Sequence, residues 1–241
     1  MAGKAIAQTE AQLPELAPTR DEDFSVDAAD IQPPRIKAAS PTTGAAADGL
    51  VPNFCVFSQK GREDDEPQIL VEAGDTAGVK VYVLRMYKTK SANVNPNNWN
   101  EEMRRGGELR SWKFDDPSAP AFAKTQYNYV LYVPASEDSD LPHNLLLGNT
   151  SAPAARAINT LLAQRKQDGH PIHTQAFALW AEKREREMDG QVNRWAVFKS
   201  RPVDADPAEV AEATRLLGMI QQAPTRTVEA PVVDAEPAPS I

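Results

Sequence analysis

The chain has 241 residues, with 26 lysines and arginines against 34 aspartates and glutamates, so its formal net charge is −8. Charged residues make up 25% and the hydrophobic set 41%, which is typical of a soluble protein with an ordinary core. The sequence contains no run of about 18 apolar residues, so it predicts no membrane span. The single cysteine, Cys55, excludes an internal disulfide framework and favours a reducing compartment.

The negative charge is concentrated at the two ends of the chain. Residues 1–30 carry a net charge of −5, residues 202–220 carry −3 and residues 221–241 carry −2, which leaves +2 for the remainder. The two ends are rich in alanine, proline and acidic residues, and they bury too little apolar surface to offset the entropy of ordering. We predict a disordered acidic N-terminal arm over 1–30, one domain over 31–220 and a disordered acidic C-terminal tail over 221–241.

The first half of the domain predicts short strands and one insertion. Residues 51–58 and 68–72 are strand candidates, and residues 79–87 are the clearest strand because they are rich in β-branched and aromatic side chains. Residues 88–124 form a long polar insertion with asparagine, glycine and proline turns and no clear elements. A stretch of this kind is usually functional or flexible.

The next segment combines two strands with a helix. Residues 125–133 alternate apolar and polar side chains, which predicts a half-buried strand, and residues 145–147 are a short strand candidate. A helix follows, with Thr150 or Ser151 as its cap and Asp168 near its end.

A hairpin and a last helix complete the domain. Residues 172–180 and 191–199 predict two strands joined by a charged loop over 182–190. Asp206 caps the last helix, with Pro207 at its first position. This order favours a mainly β (α+β) fold, an OB-like five-stranded barrel with one helix between strands 3 and 4 and a C-terminal helix. Another small α+β sheet with two helices fits the same order.

The strongest functional signal lies between Lys80 and Lys113. This stretch of 34 residues holds eight cations and three anions, a net charge of +5, together with two tyrosines and two tryptophans. Single-stranded nucleic acid is bound by cations that follow the phosphates and by aromatic faces on which bases stack. The candidate nucleic-acid-binding residues here and on the last strand are Tyr82, Arg85, Tyr87, Lys88, Lys90, Trp99, Arg104, Arg105, Arg110, Trp112, Lys113, Arg194 and Lys199.

The same residues have a second interpretation, a sheet core with a solvated charged loop. Tyr82 fits a core position and an exposed face equally well, whereas Trp99 and Trp112 are expected to be exposed because no apolar residues surround them. Tyr127 and Tyr129 share one strand face and form a second candidate platform. Arg35 and Lys37 are weaker cation candidates.

Signals for catalysis are weak. The sequence lacks a phosphate loop and a G-x-S-x-G nucleophile elbow. His170 and His173 are interpreted as a turn before a strand, because zinc normally takes four ligands at short spacings. Cys55, in an apolar segment, is interpreted as a small buried residue. We predict a non-enzymatic protein without a metal or cofactor; a nuclease that uses scattered carboxylates is an alternative.

Three stretches resemble phage proteins of the single-stranded-DNA-binding type: residues 33–41 (PPRIKAASP), residues 145–165 (LLLGNTSAPAARAINTLLAQR) and residues 173–202 (HTQAFALWAEKREREMDGQVNRWAVFKSRP). The resemblance implies a viral origin, a role in DNA replication or recombination, and a location in the host cytoplasm. Proteins that coat single strands often carry an acidic C-terminal tail that competes with DNA and recruits replication or recombination proteins. The tail here is such a candidate, with simple solubilisation as the other interpretation.

We therefore expect single-stranded DNA as the partner, with no membrane and with homo-oligomers allowed. The alternative from a different class is a virion or accessory structural protein that acts through protein–protein contacts, with its acidic ends as interaction segments.

Overall fold

The computed structural model describes residues 33–60, 66–103, 106–188 and 190–222. These residues form ten strands and three α-helices. The strands are β1 (Arg35–Ala38), β2 (Val56–Gln59), β3 (Gln68–Val71), β4 (Val79–Asn95), β5 (Asn98–Glu102), β6 (Glu108–Lys113), β7 (Lys124–Tyr132), β8 (His143–Leu147), β9 (Ala176–Met188) and β10 (Gln191–Val203). The helices are α1 (Gly44–Ala47), α2 (Ala152–Gln167) and α3 (Pro207–Gln222), and 3-10 turns cover Asn149–Ser151 and Ile172–Thr174.

The strands form one curled, open sheet. Its main path runs β10-β9-β4-β7-β8-β1-β2-β3, and β5 and β6 pair with β4 outside that path. Pairing is antiparallel except between β1 and β8, which are parallel. The curl brings β1 and β10 into contact although they are not hydrogen-bonded neighbours.

The two long helices pack on opposite faces of β4. Successive side chains of a strand point to opposite faces. Val81 lies in the main core with Ile158 of α2, whereas Tyr82 lies in a second core with Leu216 of α3. Burying an isoleucine or leucine in this way contributes about 1.5–3 kcal/mol, so apolar packing holds each helix on its own face of the sheet.

A β-bulge interrupts the pairing of β4 with β7. Val83 lies opposite Leu131 and Arg85 lies opposite Val130, which leaves Leu84 as the extra residue. The bulge reverses the alternation along β4, so that even-numbered residues beyond it lie on the main-core face.

The expectation that residues 88–124 lack regular elements is wrong. β4 continues to Asn95, and β5 and β6 follow and pair with it. Polar side chains occupy both faces of this ladder, so the apolar alternation that signals a half-buried strand is missing. We call the described residues of 85–128 the arm.

The prediction of a loop over 182–190 is also wrong for most of that range, because β9 runs to Met188. Charges on β9 face partners on β10. Glu185 lies directly opposite Arg194, with 3.4 Å between the Glu185 carboxylate and Arg194 Nε, and a Glu182 oxygen lies 3.4 Å from Lys199 Nζ. These cross-strand pairs allow a charged segment to be a strand.

The mainly β fold and the last helix are confirmed. Asp206 Oδ1 accepts a hydrogen bond from the Ala208 amide at 2.8 Å, as expected of an N-cap. The described residues contain ten strands rather than five, and α2 lies between β8 and β9 rather than after a third strand. The difference arises because the arm and the short strands add to the sheet.

The predicted disordered ends lie outside the described residues, apart from Gln221 and Gln222 at the end of α3. Among the residues that the structure describes, none of the helices is long and apolar enough to cross a membrane.

Candidate nucleic-acid interface

The arm has two faces, which the strand register defines. Lys88 lies opposite Tyr127 and Lys90 lies opposite Trp112, so these four side chains share one face. Tyr87 lies opposite Asn128 on the other face. We call the first the front face and the second the back face. The front face comprises Lys88, Lys90, Trp99, Arg110, Trp112, Phe114 and Tyr127, and the back face comprises Arg85, Tyr87, Lys113 and Asn128.

Two lysines on the front face lie beside aromatic rings. Lys88 Nζ is 5.3 Å from the centroid of the Phe114 ring and 5.6 Å from that of Tyr127. Lys90 Nζ is 5.9 Å from the Phe114 centroid. These distances are within the range of cation–π attraction, about 6 Å. Ammonium groups and ring surfaces therefore alternate over a short stretch of sheet.

Arg110 and Trp99 form a second cation–aromatic unit. The guanidinium carbon of Arg110 lies 3.0 Å from the centroid of the Trp99 ring, and Trp99 Nε1 donates a hydrogen bond to the Pro96 carbonyl at 3.2 Å. Glu108 Oε1 is 3.6 Å from Arg110 Nε, and this buried nitrogen makes no hydrogen bond within the part of the chain that the structure describes. The contact fixes the tryptophan ring against the arm.

Several of the aromatic rings on the two faces are accessible. Trp99 is 46% exposed, Phe114 45% and Tyr87 49%, while Trp112 is partly buried. An exposed ring offers a face on which an unpaired base can stack, and each stacked base contributes about 1–3 kcal/mol. The front face therefore combines the two kinds of contact that single-stranded nucleic acid requires.

Tyr82 occupies the core, one of the two positions that its sequence allows. The side chain is fully buried, and its hydroxyl donates a hydrogen bond to Glu209 Oε2 at 2.6 Å and accepts one from the Asp206 amide at 3.0 Å. Burial, and then the hydrogen bond to Glu209, raise the pKa of Tyr82 well above its usual range. With both ring faces packed in the α3 core, Tyr82 is not part of the surface.

Tyr129 is buried in the same way. Its hydroxyl donates a hydrogen bond to Asn159 Oδ1 of α2 at 2.9 Å, and burial raises its pKa. Of the candidate second platform, Tyr127 alone joins the front face.

The two candidates on the last strand do not join the arm. Arg194 and Lys199 lie on β10 and are paired with Glu185 and Glu182. The register sets Ser200 level with Val79, so Lys199 lies one position beyond the start of β4, about 30 Å along that strand from Lys88. Arg104 and Arg105 lie outside the described residues.

Phe114 is a front-face residue outside the predicted candidates, and Tyr127 is predicted only for the second platform. Both are placed by the pairing of β6 and β7 with β4, and composition carries no signal for that register. Their aromatic character and their position beside the basic stretch are the signals that could have included them.

His143, His173 and Cys55 lie in the core or in a turn of the fold. Cys55 is fully buried, as expected, and His173 lies in the 3-10 turn that precedes β9. His143 is buried, with Nε2 2.8 Å from Ser136 Oγ, and burial lowers its pKa. No cluster of three or more metal-ligating side chains occurs in the described ranges.

Comparisons of the chain with family models, with curated proteins and with solved structures give no match.

Proposed function

We propose that this protein binds single-stranded DNA through the front face of the arm. The observation that supports the proposal is the arrangement in which Lys88 Nζ lies within 6 Å of the Phe114 and Tyr127 ring centroids and Lys90 Nζ within 6 Å of that of Phe114. In that arrangement the ammonium groups bind phosphates and the rings stack with bases. The protein acts without catalysis, as a sequence-tolerant coat on unpaired DNA.

Exposed rings favour single strands over duplex. In a duplex the bases are stacked on one another, so a protein ring gains a stacking partner only where the strands are apart. A curled, mainly β sheet is compatible with an OB-type arrangement, in which one sheet surface carries the strand. We extend the proposal to unpaired DNA produced in phage replication or recombination in the host cytoplasm.

The decisive experiment is fluorescence anisotropy with a labelled oligo-dT strand and a duplex of equal length, over a series of salt concentrations. We expect tighter binding to the single strand. The logarithm of the binding constant should fall linearly with the logarithm of salt, because phosphate binding releases counterions.

The double variant Lys88→Glu/Lys90→Glu tests the site itself. The salt slope should fall by about one for each phosphate that the variant no longer binds, hence by about two, together with a large decrease in affinity at low salt. The matched control is Arg156→Glu/Lys166→Glu, which reverses two exposed cations on α2 and the same total charge. Equal decreases in the two variants would show a general charge effect and not a site.

Absence of binding to any DNA at low salt would refute the proposal. Co-purification with capsids, without a shift of DNA, would support the alternative virion or accessory structural protein.

A further inference from the structure

A cavity of about 590 Å³ lies between β1, β7, β8, β10 and the start of α2. Its volume is within the range of small-molecule sites, about 300–1,000 Å³. The residues that line it are all described, and they include two cations and no carboxylate. In a chain with a net charge of −8, this composition selects against cations and in favour of an anionic ligand.

The two cations are Arg35 and Lys37, neighbours on one face of β1. Lys37 Nζ donates one hydrogen bond to Gln59 Oε1 at 3.0 Å, and the Arg35 guanidinium forms no ion pair or hydrogen bond with any described residue. Burial and then the charge of Arg35 lower the pKa of Lys37. An anion between the two side chains would offset their repulsion and use their remaining donors.

Another part of the wall offers a ring and amides. Tyr87, Asn128 and Leu146 are directly opposite one another on three adjacent strands, so they share one sheet face. Tyr87 and Leu146 are each 49% exposed. Asn144 lies opposite Arg35. A flat heteroaromatic ring can stack on the tyrosine, and amide side chains can both donate to and accept from its edge.

We propose that this cavity binds a nucleoside monophosphate, with the phosphate against Arg35 and Lys37 and the base against Tyr87 and Asn128. The ligand is a free nucleotide or the terminal nucleotide of a strand, since both present the same chemistry. The start of α2 at the cavity wall adds a partial positive charge. None of the front-face residues lines the cavity, so the inference does not depend on the proposed function of the arm.

The test is calorimetric titration of the full-length protein with each of the four deoxynucleoside monophosphates. Arg35→Ala/Lys37→Ala should weaken binding about tenfold or more, because two charge-assisted hydrogen-bonding groups are removed. Arg156→Ala/Lys166→Ala, the control on α2, should leave the affinity unchanged, and circular dichroism should show that both variants are folded. No binding of any of the four nucleotides, or equal decreases in the two variants, would overturn the proposal.

Tyr87→Ala tests the base contact separately. It should weaken binding of the nucleotides and leave any binding of inorganic phosphate unchanged. A protein that binds phosphate as tightly as the nucleotides would overturn the assignment of the base.

Competition distinguishes the two sources of the ligand. In the Lys88→Glu/Lys90→Glu protein, displacement of the nucleotide by an oligonucleotide with a terminal phosphate, but not by its unphosphorylated form, supports the chain end. Retained nucleotide binding without displacement supports the free nucleotide. Loss of nucleotide binding in this variant would overturn the independence of the two sites.

Discussion

At the scale of single residues, Tyr82 links the sheet to α3. Its hydroxyl joins Glu209 and the Asp206 amide, and Glu209 also accepts a hydrogen bond from Lys80 at 3.0 Å. The first turn of α3 is therefore tied to β4 by polar contacts in addition to the apolar core. The sequence pattern fits Tyr82 equally well to the core and to the surface, and in the structure Tyr82 has a structural role.

Tyr82→Phe should destabilise the protein by about 1–3 kcal/mol, because it leaves the Asp206 amide without its partner. Urea denaturation measures the change. Tyr87→Phe removes the hydroxyl of an exposed tyrosine and should change the free energy of unfolding by less than about 0.5 kcal/mol. Similar effects in the two variants would contradict the role assigned to Tyr82.

His143 should make stability dependent on pH. Burial lowers its pKa in the folded state, against the opposing charges of Asp138 and Asp140. As pH falls through the ordinary histidine pKa of about 6.5, the unfolded chain takes up the proton first, so stability falls. Above that pH the contribution of His143 is fully present.

Urea midpoints between about pH 7.5 and 5.5 test this pH dependence. His143→Gln should reduce the loss of stability towards acid pH without abolishing it, because burial also lowers the pKa of His173. His170→Gln, at an exposed position, is the control and should keep the wild-type profile. An unchanged profile in His143→Gln would contradict the prediction.

At the scale of elements, Ser151 connects the start of α2 to the edge strand β10. Ser151 is one of the two residues expected to cap α2, yet its side chain makes no capping hydrogen bond. The hydroxyl instead accepts a hydrogen bond from the Phe198 amide at 3.0 Å in a buried setting. A second link joins the same elements, since Ser200 Oγ donates to the Ala154 carbonyl at 3.2 Å.

Ser151→Ala should cost about 1–3 kcal/mol, since the Phe198 amide is left buried without a partner. Thr150→Ala, at the exposed neighbouring position, should have a much smaller effect. Thermal or urea unfolding distinguishes the two variants, and equal stability would show that the Ser151 hydrogen bond is dispensable.

The elements that could be predicted from sequence have local signals. The strand beginning at Val79 is rich in β-branched and aromatic residues, and α3 has its Asp206 cap and a proline at its first position. The arm has no such signal, because its strands are polar on both faces. The contact between Lys88 and Tyr127 depends on the register of β7 against β4, including the bulge, and neither residue type nor spacing encodes that register.

At the scale of the whole molecule, the distribution of charge matters more than its sum. Residues 31–201 carry +2, while the ends and the last helix carry the acidic excess. The basic side chains of the arm and of β1 are therefore separated along the chain from most of the unbalanced acids. A net charge of −8 does not oppose a nucleic-acid partner when it is distributed in this way.

Neutralising the acidic C-terminal tail should tighten binding of single-stranded DNA at low salt. The full-length variant Glu229→Gln/Asp234→Asn/Glu236→Gln removes three charges from a segment that lies outside the described residues. The gain should vanish at high salt, where such interactions between exposed charges are screened. Anisotropy titrations measure it, and an unchanged affinity at low salt would leave solubilisation as the role of the tail.

The bulge at Leu84 determines to which face of the sheet each later side chain of β4 points. If β4 continued in register with β7 past Leu131, Leu84 would lie opposite Val130, Tyr87 opposite Tyr127, and Lys88 opposite Gln126. Every later side chain would change sides, because the side-chain period of a strand is two. One additional residue in the core thus decides which surface of a strand about 55 Å long carries the lysines. Homologous chains that differ in length at this point would present the opposite surface.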